Sequence, residues 1–414
     1  MYLTSEEEAM LKGEYGPAIS RAMEILVTLG EVYEAPSLID IRSVHMPGSS
    51  IIVSGLAGLK FVESFSKQNA RFKTYTTLNT GAIDFEKNSR LPVLDDVNMN
   101  QKILTEAYVK MDAVPCHTCT PYLVGNIIKF GEHCAWGESS AVIFANSVLG
   151  GRTNREGGPS ALASAITGKT PFYGFHVNDN RLADYLINLK VKLQDISDYG
   201  ALGYFIGKIV GGEVPAFKGV GKDVSLEELK MLGAALASSG SVSLFHIEGV
   251  TPESYDKINF KAGNPKDSIE VDRKEISEVY ERLRVVEKGE RIDLACVGCP
   301  HCSLKEIFDI AALLHNKHVN EKTKLWVLTS LPVKTLAERL GLTKIIEKSG
   351  GEIICDTCPV LGPMKRLKNI LGVENLATNS AKLAHYAPGQ CNLKPYYGSL
   401  NEVVEAAIRG GIKV

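Results

Sequence analysis

Six of the nine cysteines in this chain fall into three Cys-x-x-Cys pairs: Cys116/Cys119, Cys296/Cys299 and Cys355/Cys358. Cys302 extends the second pair to C-x-x-C-x-x-C. The pairs are far apart, with 177 positions from Cys119 to Cys296 and 56 from Cys299 to Cys355. A zinc ribbon closes two such knuckles within roughly 15–20 residues, so local zinc knuckles are disfavoured. A ferredoxin-type run needs a fourth cysteine close behind, and none follows Cys302 nearby. Cys116-His-Thr-Cys119 has the look of a redox dithiol, but three separate dithiols in one chain would be unusual. The remaining metal arrangement is one cluster held by one cysteine from each of three loops. Such a chain must fold so that three distant segments meet at one point. The plain alternative is that each thiol is packing, since buried free cysteine behaves as a small hydrophobe.

Length and charge narrow the class further. At 414 residues the chain is long enough for two to four domains of roughly 100–200 residues each. Hydrophobic residues make up 44% and charged residues 23%, as in an ordinary globular protein. A formal net charge of −2 argues against a nucleic-acid binder that works by neutralising phosphates. No apolar run reaches the roughly 18 residues of a membrane span. The opening MYLTSEEEAMLKGEYG is acidic and amphipathic, unlike a secretory signal, so a cytoplasmic location and reduced thiols are expected.

Strand and helix patterns alternate, which predicts an α/β fold. A helix is expected over 5–29, opened by a Thr4/Glu7 capping box, then a strand over 37–45. Helices are expected at 55–67, 97–111 and 121–129, with a strand through RFKTYTTLNTG between the first two. Residues 172–176 and 204–218 read as strands or buried apolar segments, 241–249 as a strand, and 251–290 as a charged loop and helix. The last 130 residues alternate most regularly and imply a mostly parallel sheet covered on both faces. There the second and third cysteine pairs follow strand ends, where sites in open α/β sheets lie, so both pairs can face one crevice. The expected division is 1–175, 176–285 and 286–414.

Several polar positions are candidates beside the cysteines. Gly48, Ser49 and Ser50 follow a strand and can offer N–H groups and hydroxyls to an anion, though a turn with a helix cap is the commoner fate. Asn79 and Thr80 sit in a similar loop. Glu138 and Ser139 open an apolar helix, as a cap or as a carboxylate that orients substrate or relays a proton. Arg152, Asn154, Arg155 and Glu156 lie between glycine pairs, and arginine there suits a carboxylate or phosphate. His117, between two cysteines, is a candidate for supporting a ligand. His246, His301 and His385 are weaker candidates.

The strings MPGSS (46–50), LNTG (78–81), CTPYL (119–123), GESSAVIFANSVLGGRTNREGGPSA (137–161), SGSVSLFHIEGVTPE (239–253), GCPHCS (298–303), CDTCP (355–359) and ATNSAKLAHYAPG (377–389) together resemble the aconitase X family over nearly the whole chain. The resemblance implies multi-lobed, aconitase-like α/β/α domains with mostly parallel sheets around a central cluster-binding cleft. It implies an iron–sulfur cluster, [4Fe-4S] in form, held by Cys119, Cys299 and Cys358 with one iron left open as a Lewis acid. Their partners Cys116, Cys296 and Cys355 are then packing or supporting residues, and Cys134 and Cys391 packing alone. Archaeal members dehydrate mevalonate 5-phosphate to trans-anhydromevalonate 5-phosphate, with large and small subunits. Bacterial members dehydrate cis-3-hydroxy-L-proline. This chain carries no small swivelling domain, so it is most similar to the archaeal large subunits. The resemblance then places the principal base on a small-subunit partner and gives Glu138 and Ser139 a catalytic part. It places Gly48, Ser49, Ser50, Asn79, Thr80, Arg152, Asn154, Arg155 and Glu156 around a phosphorylated hydroxy acid. The alternatives are a hydroxyproline dehydratase and a non-enzymatic metal or redox scaffold.

Overall fold

The fold is taken from a computed structural model that describes residues 1–86 and 91–413. Near the C-terminus, short aliphatic runs form a five-stranded parallel sheet. Its spatial order is Gly351–Cys355, Lys324–Thr329, Leu294–Val297, Asn375–Thr378, Lys394–Tyr397. Side chains alternate across it. Ala295, Val297, Leu325 and Val327 enter one core, while Leu294, Cys296, Trp326 and Leu328 enter another. Both faces are therefore buried, which is why these strands read as continuous apolar runs. Capping boxes at Ser303/Glu306 and Ser399/Glu402 start the helices Leu304–Leu314 and Leu400–Arg409. Strand order reverses between Leu294–Val297 and Asn375–Thr378, which opens a crevice at their carboxyl ends.

A second parallel sheet, Tyr75–Leu78, Ser43–Met46 and Ala135–Trp136, lies in the N-terminal region. Its hub is Trp136, fully buried and donating from Nε1 to Ser43 Oγ at 3.0 Å. The middle region has a third parallel sheet, ordered His246–Ile247, Pro215–Lys218, Tyr185–Leu189, Asp267–Val271. The sheets are mostly parallel and the fold is α/β, as expected; the exception is an antiparallel pair, Leu38–Asp40 with Lys169–Pro171.

Several local expectations are corrected. The helix over 5–29 is two, Ser5–Leu11 and Pro17–Val32, because Gly13 and Gly16 take positive φ and Pro17 restarts the chain. The Thr4/Glu7 capping box is present. The 37–45 strand breaks into Leu38–Asp40 and Ser43–Met46, which belong to different sheets. Residues 121–129 hold only a 3₁₀ turn, Pro121–Leu123. The segment 204–218 holds the end of helix Ile196–Val210, a short connection and the strand Pro215–Lys218. That helix is apolar nearly all round because it is buried. A Cβ at Gly240 would lie 2.0 Å from the Gly207 carbonyl oxygen, so only glycines allow helices Ile196–Val210 and Leu226–Gly240 to approach so closely. Residues 241–249 form only the short strand His246–Ile247, and Gly174–His176 is a 3₁₀ turn.

Candidate active site

Two of the parallel sheets turn their carboxyl ends toward one cavity of about 510 Å³. From the N-terminal sheet, each strand is followed by a lining loop: Pro47, Gly48 and Ser50 after Ser43–Met46; Asn79 and Thr80 after Tyr75–Leu78; Gly137, Glu138 and Ser139 after Ala135–Trp136. From the C-terminal sheet come Gly298 and Cys299 after one strand of the switch point, and Lys382 from the helix after the other. The loop after Gly351–Cys355 adds Cys358 and Leu361. Two glycines are steric necessities. A Cβ at Gly137 would meet Pro47 Cγ at 2.2 Å, and one at Gly298, where φ is +108°, would meet the Leu328 carbonyl oxygen at 2.3 Å.

Of the nine cysteines, Cys119, Cys299 and Cys358 line the cavity and the other six do not. Burial pushes the Cys119 thiol up to about 12, and the Glu138 charge adds to it. Burial raises Cys358 far above its ordinary value, and the nearby Cys299 and Cys119 sulfurs add to the effect. Cys299 is raised by burial as well, while Lys382 and the Ser380 hydroxyl pull it back. Donors face two of the sulfurs and hold the loop of the third: the His301 N–H donates to Cys119 Sγ at 3.2 Å, the Val360 and Leu361 amides face Cys358, and the Ser380 hydroxyl donates to the Cys299 carbonyl oxygen. Among the described residues, no three His, Cys, Asp or Glu side chains are grouped tightly enough for one metal ion. A single tetrahedral ion about 2.3 Å from each sulfur draws its ligands close together, whereas a cluster spreads them over several irons. Three buried thiols lining one cavity, with Lys382 acting on Cys119 and Cys299 and main-chain donors facing Cys119 and Cys358, fit an iron–sulfur cluster.

Glu138 caps the helix Ser139–Ser147, accepting the Ala141 N–H at 2.7 Å. Its other oxygen accepts from Lys382 Nζ at 2.7 Å, and that ammonium also donates to Ser140 Oγ at 2.6 Å. Both side chains are about nine-tenths buried. Burial pushes the Glu138 carboxyl up, but Lys382 and the backbone donors outweigh it, so the net shift is down. Burial lowers Lys382, and Glu138 with the Cys299 and Cys119 sulfurs more than reverses that. The pair is thus ionised. Lys382 lies inside the string ATNSAKLAHYAPG (377–389), but no spacing marks it as a site residue. Its signal is a lone lysine two residues after a helix-capping serine at a parallel-strand end.

The other predicted residues divide. Gly48, Ser50, Asn79, Thr80, Ser139 and Arg155 line the cavity. Arg155 is exposed there and has no protein partner among the described residues. Ser49 lies behind the wall, donating to the Asn79 carbonyl oxygen at 2.6 Å. Ser50 donates to the Leu361 carbonyl oxygen at 2.6 Å and so ties the first loop to the Cys358 loop. Arg152, Asn154 and Glu156 lie off the cavity. Arg152 donates to the His176 carbonyl oxygen at 3.2 Å, Asn154 pins residues 173–175, and Glu156 is buried with its carboxyl raised by desolvation. His117 bridges the Asn79 carbonyl oxygen and Thr105 Oγ1, both at 3.2 Å, and stacks on Phe85. It braces the Asn79 loop from behind. The buried Gln101 amide does similar work, accepting the Ile51 and Ala82 N–H groups and donating to the Ser49 carbonyl oxygen.

Family models described as the first, second and third domains of aconitase X match residues 1–179, 183–281 and 292–409. The phosphomevalonate dehydratase large subunit of Methanocaldococcus jannaschii is 44% identical over 98% of this chain and 100% of its own length. That of Methanothermobacter thermautotrophicus is 45% identical over 96% of each. A cis-3-hydroxy-L-proline dehydratase of Pseudomonas aeruginosa is 35% identical, and its match takes in 99% of this chain but 70% of that protein. The crystal structure of Thermococcus kodakaraensis aconitase X in its holo form superposes with a TM-score of 0.89 at 41% identity, covering 98% of this chain and 100% of that one.

Proposed function

This chain belongs to the aconitase X family, and on that premise we propose that it is the large subunit of a hydro-lyase that dehydrates (R)-5-phosphomevalonate to trans-anhydromevalonate 5-phosphate. The near-complete, two-way coverage by the archaeal large subunits carries the substrate assignment; the hydroxyproline enzymes are more distant and longer.

In this reading Cys119, Cys299 and Cys358 hold an iron–sulfur cluster, of [4Fe-4S] form. When bound, it supplies a Lewis acid that polarises the hydroxyl to be lost. The chain's own residues do the rest. Lys382 holds Glu138 ionised beside the thiols, and the two orient the carboxylate and hydroxyl end of the substrate. Arg155, unpaired at the cavity edge, takes the phosphate with the Gly48–Ser50 loop, where the helix Ile51–Ser66 begins. Asn79 and Thr80 complete the wall between the two ends. A small-subunit partner covers the mouth and brings the proton acceptor. The rim carries exposed Ile52 and Val53, and Leu56 is exposed on the same helix, a grouping that a solvated enzyme surface has no reason to keep unless something packs there.

The test is an anaerobic assay of the reconstituted chain with its small subunit on both substrates. Loss of water from 5-phosphomevalonate and none from hydroxyproline is the expected result. Turnover of hydroxyproline alone would overturn the substrate assignment. Stoichiometric zinc without iron would overturn the cluster.

A further inference from the structure

The loops bearing Cys119, Cys299 and Cys358 come from distant parts of the chain, yet one side chain touches all three. His301 sits two residues after Cys299 and is fully buried. Its Nε2 lies 3.2 Å from the carbonyl oxygen of Thr357, the residue before Cys358. Its Nδ1 lies 3.1 Å from the hydroxyl of Thr118, the residue before Cys119. Its main-chain N–H donates to Cys119 Sγ itself. Its carbonyl oxygen accepts from Lys230 Nζ at 3.1 Å, a buried ammonium on the helix Leu226–Gly240 that is also paired with Glu306.

We propose that His301 is the positioning residue that sets the spacing of the three cluster ligands. This rests on reading the cavity as an iron–sulfur site.

The hydrogen bonds have a direction. A carbonyl oxygen only accepts, so Nε2 carries the ring proton toward Thr357. With no carboxylate partner, Nδ1 is left as an acceptor, and the Thr118 hydroxyl donates to it. Thr118 Oγ1 then accepts in turn, from the Thr120 N–H at 3.2 Å and the Thr120 hydroxyl at 3.0 Å. The neutral imidazole is the one side chain of this size that offers a donor and an acceptor on opposite edges of a rigid ring. An apolar residue would fill the volume but leave a hydroxyl and a carbonyl oxygen unpaired beside the ligands. Because the contacts fall on the residues adjacent to Cys119 and Cys358, movement of the ring passes directly to the sulfurs.

The experiment uses the full chain and its His301→Gln, His301→Ala and Thr118→Val variants, each purified without cluster. Each is reconstituted anaerobically with ferrous iron and sulfide. Iron per chain is measured, then the decay of the visible cluster absorbance under a chelator, with thermal unfolding of the cluster-free chain as the control. Supporting residues around a metal site typically change affinity about 10–100-fold, so cluster loss should accelerate by that factor in His301→Ala. It should accelerate several-fold in Thr118→Val, with His301→Gln between them. Thr118→Val keeps the side chain's shape but leaves His301 Nδ1 and the Thr120 N–H and hydroxyl without their partner, so the cluster-free chain should unfold earlier than wild type and cluster loss is read against that shift. Wild-type retention in both Thr118→Val and His301→Gln overturns the proposal and leaves the cluster reading standing. If His301→Ala does not fold, those two variants decide. A wild-type chain that takes up no iron overturns the cluster reading and this proposal together.

Discussion

Replacing Lys382 with methionine should be among the most damaging single changes at the site, and its size can be worked from the pair it breaks. Lys382 Nζ lies 2.7 Å from Glu138 Oε1, with both side chains about nine-tenths buried. At an effective dielectric of about 20, two unit charges at that distance attract by about 6 kcal/mol. The intact pair loses much of this to desolvation, but removing one partner leaves a buried carboxylate uncompensated, at about 3–5 kcal/mol. The cost should depend on pH. In the native chain Glu138 is held below its ordinary value, so the pair's contribution is complete above the unfolded carboxyl's pKa and is lost as pH falls through the folded one. Without Lys382, burial is the largest remaining influence and drives the carboxyl upward. The gap between native and variant chains should therefore open below pH 4.5, as pH rises through the native carboxyl's lowered value, and widen until the variant's raised value is passed. Urea unfolding of the cluster-free chain, followed from about pH 5 to pH 8, reads this directly. The double variant Glu138→Gln/Lys382→Met should recover most of the loss, since a neutral pair leaves no buried charge. A Lys382→Met chain within about 1 kcal/mol of native at pH 7, or a gap flat across the range, would refute the ionised pair.

Serine at Cys119, Cys299 or Cys358 should each abolish cluster retention, while alanine at Cys116, Cys296 or Cys355 should leave iron per chain unchanged and cost only core stability; iron and sulfide analysis separates the two groups. Arg155→Ala should leave unfolding within about 0.5 kcal/mol of native, since Arg155 is exposed and unpaired. It should raise KM for the phosphorylated substrate roughly 10–150-fold, the equivalent of one charged hydrogen bond of about 1.5–3 kcal/mol, with kcat little changed. His45 is fully buried, and desolvation lowers its pKa to about 4 from 6.5. Below pH 6.5 the unfolded chain therefore binds the extra proton first. Stability should fall from there and level off below pH 4, by at most about 3 kcal/mol for this residue. His45→Gln should remove that share of the acid slope in unfolding titrations.

The sequence disclosed the C-terminal sheet well because its strands are buried on both faces and its helices carry serine–glutamate capping boxes. Ala295 and Leu294 go to opposite cores, yet both are apolar, and the run is unmistakable. The strand Lys394–Tyr397 and helix Met364–Leu371 go unread because proline and glycine interrupt the pattern around them. The strand Asp267–Val271 hides in a charged stretch, since it sits at a sheet edge with only Val271 buried. At the site, loops that follow strands are legible because composition marks them, as in MPGSS and LNTG. Arg152 and Asn154 share the polar string of Arg155 yet turn away, because a loop between glycines sends neighbouring side chains in different directions and periodicity says nothing of which. His301 ranks only as a weaker candidate and Lys382 is not marked at all, although they lie inside the strings GCPHCS and ATNSAKLAHYAPG, for a related reason. Each acts through partners far off in the chain, Cys119 and Thr357 for His301 (182 and 56 positions) and Glu138 for Lys382 (244), and no local pattern encodes such contacts.

The geometry also bears on why such a chain would work with a partner. Dehydration needs a group that takes a proton from carbon, and such a base must have real proton affinity. Among the described lining residues the one carboxylate is Glu138, and it is the wrong kind. Lys382 and the Ala141 N–H both donate to it, and its affinity for a proton is lowered. The arrangement suits an orienting charge that must stay negative through the reaction. Ser139 contacts the same carboxylate and ammonium at 3.3 and 3.4 Å and has no histidine beside it to raise its nucleophilicity. The three thiols are committed once a cluster binds. On the proposed reading, the cavity would hold the electrophilic half of an elimination: the three thiols as cluster ligands, with Lys382 and Arg155 as the cations that take the anionic substrate. A base delivered across the open rim would complete it. On that reading, separating the halves would keep the strong base away from the cluster until substrate has bound, and assembly of the two chains and of the reacting groups would be the same event.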